Sequence, residues 1–197
     1  MGCNIHIRFE VKNCKGIWTD ADIYKRNPFY GIEDEAEFTV IEIYKGRSYS
    51  LFSVLANVRN DDDNDYICEP KGVPEDCNEH IKRDIEHWGE DGHSHSYFTL
   101  KELIDWQKKH NVIKYRGYMS PEDAKNVDKG KMPSMWWQNG NHRWQVYREW
   151  EVKKNILNPI IECMQERYID VMNCGCYSKE TLMEHAEDMR IVFWFDN

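Results

Sequence analysis

Asn4-Ile5-His6-Ile7-Arg8-Phe9-Glu10-Val11-Lys12 alternates apolar and polar side chains without a slip, and the far end of the chain, Arg190-Ile191-Val192-Phe193-Trp194-Phe195-Asp196, is β-like as well, rich in branched and aromatic residues. Successive side chains of a strand point to opposite faces of its sheet. Ile5, Ile7, Phe9 and Val11 therefore form one face of the first stretch, against Asn4, His6, Arg8, Glu10 and Lys12. In the second, Ile191, Phe193 and Phe195 oppose Arg190, Val192, Trp194 and Asp196. Chain ends normally fray, so two ends written in strand pattern predict that both are tied into one sheet.

Moving inward, residues 38–44 read as a further strand, ended by Lys45-Gly46. The period then changes: Leu51, Phe52, Leu55 and Val58 recur at helical spacing, with Asn60 suited to close the helix. Ile81, Ile85 and Trp88 give a second helical stripe. Thr99-Leu100-Lys101-Glu102 is a capping box, in which a threonine hydroxyl and a glutamate satisfy each other's backbone N–H groups at a helix start. Residues 117–141 read as a long connection with an apolar Met135-Trp136-Trp137 stretch inside it, either a functional loop or an aromatic plug on the core. Residues 143–172 read as helical with a break at Asn158-Pro159, and Ser178 as the cap of a short last helix. The expected architecture is α+β, one compact domain over residues 1–197. Its sheet is mainly antiparallel or mixed and contains both terminal strands, with helices packed on it.

A chain of 197 residues suits a single core. Its formal net charge of −9 opposes nonspecific binding to nucleic-acid phosphates, which needs clustered Lys and Arg. No apolar run approaches the roughly 20 residues of a membrane span and no secretory leader is evident, so an intracellular protein with no membrane partner is expected. Seven cysteines cannot all pair, which points to a reducing compartment. Cys174-Gly175-Cys176 is too closely spaced for a zinc knuckle, and the acidic run 60–65 lacks the spacing, central glycine and closing glutamate of a calcium loop.

Two constellations carry chemistry. His93 and His95 are spaced to point to the same side of an extended backbone, the geometry of a His-x-His metal pair. His6 and Asp196 could supply further ligands for zinc or manganese if the terminal strands are neighbours. The second set is a nucleotide-like anion site built from Asn4, His6, Arg8, Arg59, Lys71, Arg190 and Trp194: guanidinium forks hold phosphate and an indole stacks on a base. Pairing with the abundant Asp and Glu is the plainer account of any single Arg. No phosphate-binding glycine loop, dinucleotide fingerprint or nucleophile elbow is present, and no catalytic residue is singled out.

The opening Met1-Gly2-Cys3-Asn4-Ile5-His6, the run Arg47-Ser48-Tyr49-Ser50-Leu51-Phe52-Ser53-Val54-Leu55-Ala56-Asn57-Val58-Arg59-Asn60, the loop Lys71-Gly72-Val73-Pro74-Glu75-Asp76, His93-Ser94-His95-Ser96 and the ending Arg190 to Asn197 resemble a family of small bacteriophage-encoded proteins. Members open Met-Gly-Cys-Asp/Asn-Ile-His and end Arg-x-Val-Phe-Trp-Phe-Asp-Asn. The usual Asp of that opening is Asn4 here, which takes a carboxylate away from a metal reading. The resemblance implies a phage accessory product of the host bacterial cytoplasm, a counter-defence or host-takeover factor. Together these readings set the expectation of a stoichiometric binder of a nucleotide-like ligand or a host defence protein, with no cofactor. The rivals are a metal-dependent phosphoesterase or nuclease and an acidic surface that captures a basic protein. Homo-oligomerisation is compatible with each.

Overall fold

The structure is a computed structural model, which describes residues 2–32, 37–172 and 179–196. Its centre is an antiparallel sheet in which β1 (Asn4–Lys12) lies beside β8 (Met189–Asp196), flanked by β2 (Trp18–Asp20) and β5 (His93–Thr99) in the order β2-β1-β8-β5. The two ends of the chain thus form the middle of the sheet. The register sets Asn4 opposite Asp196, His6 opposite Trp194, Arg8 opposite Val192 and Glu10 opposite Arg190.

The alternation divides the two faces as read. Ile5, Ile7, Phe9, Val11, Ile191, Phe193 and Phe195 enter the main core with α1 (Tyr49–Ala56), α3 (Leu100–Lys109) and α5 (Asn158–Met172). Leu51, Phe52 and Leu55 come from the first helix, Leu100 and Leu103 from the second, and Ile160, Met164 and Tyr168 from the third. The opposite face is buried as well. It carries α2 (Glu79–Trp88), whose Ile81, Ile85 and Trp88 pack with Cys77 on Val192, Trp194 and Tyr97. A central sheet covered on both faces explains why β1 and β8 are almost wholly inaccessible, His6, Arg8, Glu10 and Arg190 included.

Helix boundaries follow local chemistry. Thr99 and Glu102 form the capping box that opens α3. Ser48 caps α1, and Asn57 at φ 56° ends it, three residues before the expected Asn60, because a left-handed residue there is enough to stop the helix. Pro159 sits in the first turn of α5, where its missing N–H is needed by no intrahelical bond. The cap expected of Ser178 lies outside the described residues, and α6 (Lys179–Glu184) follows them. The strand expected over 38–44 is β4 (Phe38–Ile41), paired with β3 (Ile23–Arg26).

Two expectations need correction. Residues 143–172 are not helical throughout: β7 (Val146–Lys153) alternates between half-buried and exposed residues along its whole length and pairs with β6 (Val112–Met119). Inward Val146, Trp150 and Val152 with outward Tyr147 and Glu149 satisfy a period of two as well as they mimic an apolar helix stripe. The presumed connection 117–141 contains the end of β6 and α4 (Pro121–Val127), and Trp137 bridges back to Tyr118. A side chain at Gly117 would lie 2.7 Å from the Trp137 carbonyl oxygen, so that bridge requires glycine. Met119, Ala124 and Val127 form a small separate core with Trp136, Val146 and Trp150. The acidic 60–65 loop docks this unit to the body: Asn64 accepts from the Lys114 N–H at 2.8 Å and donates to its carbonyl at 3.1 Å. Among the described residues no helix is long and apolar enough to cross a membrane.

Candidate functional site

The pairing of β1 with β8 brings Asn4, His6, Arg8, Arg190, Trp194 and Asp196 onto one face. Along that face the chemistry runs from a charged end to an aromatic one. Arg190 donates from Nε to Glu10 Oε2 at 2.5 Å and from a terminal nitrogen to Asp76 Oδ1 at 2.7 Å, and lies over the Trp18 ring. Arg8 donates to Asp84 Oδ2 at 2.7 Å and to the Ile7 carbonyl at 3.1 Å. Lys71 stands beside β5, where its ammonium meets Glu102 at 2.6 Å above the rings of Phe98 and Tyr97. These cations are therefore engaged by the protein's own carboxylates, two of which, Asp76 and Asp84, come from α2 and the loop leading into it. The face expected to floor an anion pocket is instead packed beneath that helix. The gap that Phe9, Glu10 and Arg190 of the sheet form with Met164 and Arg167 of α5 is too small for a water molecule.

Arg59 stands apart from this ladder, at an exposed left-handed position beyond α1. It is close enough to Cys3 to oppose the effect of burial, which pushes that thiol up.

At the other end His6 lies between two carboxylates, with Nε2 3.2 Å from Asp196 Oδ2 and Nδ1 3.7 Å from Glu42. Asp196 also accepts from the Asn4 backbone N–H at 2.8 Å and its side-chain amide at 3.0 Å. Partial burial raises the Asp196 pKa, but these hydrogen bonds and the His6 ring outweigh it and hold the carboxyl below its usual range. The His6 ring sits 4.2 Å from Trp88 and 5.4 Å from Trp194, and His95 stacks on Trp194 at 6.3 Å. Burial, followed by the influence of His93, lowers the His95 pKa and favours its neutral form. Three buried ring nitrogens here, His93 Nε2, His95 Nε2 and Trp194 Nε1, have no hydrogen-bond partner within the protein.

The expected His-x-His pair is not formed. A bulge interrupts the pairing of β5 with β8 between His93 and Ser96, and Ser94 adopts φ 52°. His93 then stacks against Phe195 while His95 stacks on Trp194, side chains from opposite faces of β8. One inserted residue undoes the alternation on which the sequence reading relied. Among the described residues no group of three or more His, Cys, Asp or Glu is placed to hold a metal ion, so His93, His95, His6 and Asp196 do not converge as a zinc or manganese centre. Burial pushes the Cys3, Cys68, Cys77 and Cys163 thiols up, Cys77 to about 12.

The unit built on β6 and β7 takes in the Met135-Trp136-Trp137 stretch expected as a functional loop or an aromatic plug, and its strand pairing was not expected. Tyr115 stacks on Trp150, and Trp136 meets both rings edge-on. Two clefts share Glu149, Trp150 and Glu151 in their linings. One, of about 520 Å³, adds Val127, Lys131 and Met132; the other, of about 450 Å³, adds Asp62, Asp63 and Arg116. The concentration of Trp and Tyr over residues 115–150 was the signal for this surface.

In comparisons with known proteins, no family model matches the chain, and neither a curated protein sequence nor a solved structure matches it.

Proposed function

We propose that this chain is a phage accessory protein, a counter-defence or host-takeover factor of the bacterial cytoplasm, that acts by stoichiometric binding of a nucleotide-like ligand or a host defence protein. The phage context rests on the resemblance of the two ends and the 47–60 run. One observation carries the binding reading: the ionisable side chains of the central sheet are consumed by ion pairs and ring stacking inside the fold, whereas rings of the β6–β7 unit remain on the surface. Buried and mutually satisfied charges serve architecture. Exposed Trp, Tyr and Met beside cations are the composition of recognition surfaces.

The test is native mass spectrometry of the protein isolated from infected cells, followed by titration of whatever it retains. A retained small molecule or host protein at fixed stoichiometry, with inhibition saturating at equivalence, is the expected result. Inhibition that persists at protein concentrations far below those of its target would overturn the proposal in favour of catalysis.

A further inference from the structure

Charge and aromaticity are unevenly distributed along this chain. Residues 112–154 contain nine Lys and Arg against five Asp and Glu, a surplus of four positive charges in a protein whose balance is −9, and they hold four of its eight Trp. The structure sorts those residues into two sets. Trp136 and Trp150 pack inward on Met119, Ala124 and Val127, and Tyr115 stacks on Trp150 against the main core. Tyr118, Tyr147, Trp137 and Trp144 gather at the opposite end of the ribbon from Val112 and Lys153.

At that end Tyr118 and Tyr147 face each other across the ladder, with ring centroids 5.2 Å apart. Trp137 is tied to Tyr118 by reciprocal backbone hydrogen bonds of 2.8 and 2.9 Å, and Trp144 meets Trp137 edge-on at 6.3 Å. The His142 ring lies parallel to Trp144, 5.6 Å away and within 9°. Trp144 is 52% exposed and Trp137 39%. The cations also divide. Lys114, Arg116 and Arg148 pair with Asp65, Asp63 and Asp128, and Glu149 and Glu151 stand opposite Arg116 and Lys114 in the ladder. Lys125, Lys129, Lys131, Arg143, Lys153 and Lys154 are exposed, and no ion pair engages them among the described residues.

We infer that the aromatic end of the β6–β7 ribbon binds single-stranded nucleic acid. Bases stack on Trp144, Trp137, Tyr147 and Tyr118, and phosphates meet Arg143 at that end and, farther along the ribbon, Lys131 and Lys153, which line one cleft. The inference rests on the reading of the protein as a binder of nucleotide-like ligands and names that ligand's class. Stacking on aromatic side chains with cations along the backbone path is how single strands are held without sequence preference. The overall charge of −9, which set the expectation against nonspecific nucleic-acid binding, averages over the whole molecule. Exposed charges are screened over about 8 Å at physiological salt, so a strand on this ribbon senses the local surplus.

The test is fluorescence anisotropy of labelled oligothymidine and oligouridine titrated with the full chain at low salt and then at rising salt. Saturable binding that weakens with salt is expected, and comparison of the two oligonucleotides tells DNA from RNA. Trp144→Ala should weaken it about tenfold, in keeping with the loss of one stacked base, while Trp144→Phe retains most of the affinity. Joint Lys129→Glu and Lys131→Glu should weaken binding and flatten its salt dependence. All three positions are exposed, so unchanged circular dichroism would confirm that the variants fold. Failure of both oligonucleotides to bind at low salt, indifference of binding to these variants, or capture of an acidic protein on the same residues without oligonucleotide binding would each overturn the inference. Retention from infected cells of a ligand other than a nucleic acid, at fixed stoichiometry, would also overturn it while leaving the stoichiometric reading in place.

Discussion

Glu10 and Arg190 meet across the centre of the sheet, Oε2 to Nε at 2.5 Å, with both side chains almost wholly buried. The other Glu10 oxygen accepts from the Asn78 backbone N–H at 2.8 Å and its amide at 3.0 Å, and Asn78 in turn caps α2. One carboxylate thus joins both terminal strands to the helix that covers them. Glu10→Gln keeps the shape and removes the charge, and breaking a buried pair in this way costs about 3–5 kcal/mol. Chemical denaturation at neutral pH should show a loss of that order, with α2 exchanging its amides faster.

Asp22 gives a pH dependence. It accepts from the Phe9 N–H at 3.2 Å, and its other oxygen is buried without a partner. Burial raises its pKa to about 7, against the pull of Arg8 and with the push of Asp20 and Asp84. A folded-state pKa above the unfolded one means that the native state binds the proton more tightly. The contribution is therefore complete below about pH 4 and is lost as pH rises to 7 and beyond. Subtracting the denaturation profile of Asp22→Asn from that of the parent should reveal a stability difference that declines over this window. A flat difference would show that the carboxyl is ionised throughout.

Asn64 holds β6 as another strand would, through one donor and one acceptor to Lys114, and it is itself buried. Asn64→Ala leaves those backbone groups unsatisfied, at a cost of about 1–3 kcal/mol. Hydrogen exchange should quicken in β6 and β7 while β1 and β8 stay protected, because the small core around Met119 is distinct from the main one.

Thiol reactivity separates two cysteines. Cys14 is exposed, whereas Cys77 is buried with its pKa pushed up to about 12. Iodoacetamide applied to the native protein at pH 8, followed by peptide mapping, should label Cys14 and spare Cys77. Labelling of both at similar rates would mean that α2 lifts readily from the sheet.

Much of the fold was legible because it is written in short-range periodicity. β1, β8, the apolar stripe of α2 and the Thr99–Glu102 capping box each follow from residues within a turn or two of one another. β7 was not, since Val146, Trp150 and Val152 suit an amphipathic helix as well as a strand and only the partner strand β6 decides. The candidate site was half legible. Alternation correctly grouped His6, Arg8, Arg190 and Trp194, but a polar strand face looks the same whether it meets water or a helix approached by Asp76 and Asp84. The bulge at Ser94 leaves no mark in composition, so the divergence of His93 and His95 could not be anticipated.

Because Asn4 and Asp196 are neighbours in space and 192 positions apart in sequence, the first strand, apart from its Glu10–Lys12 end beside β2, has no ladder partner until the last one exists. During synthesis the amino-terminal segment must wait, half-sided and sticky, while the intervening helices and the β6–β7 ribbon emerge and organise around it. Sheet closure is consequently a late, long-range event of the kind that slows folding. Losing even the final few residues would take out the middle of the structure rather than trim its border.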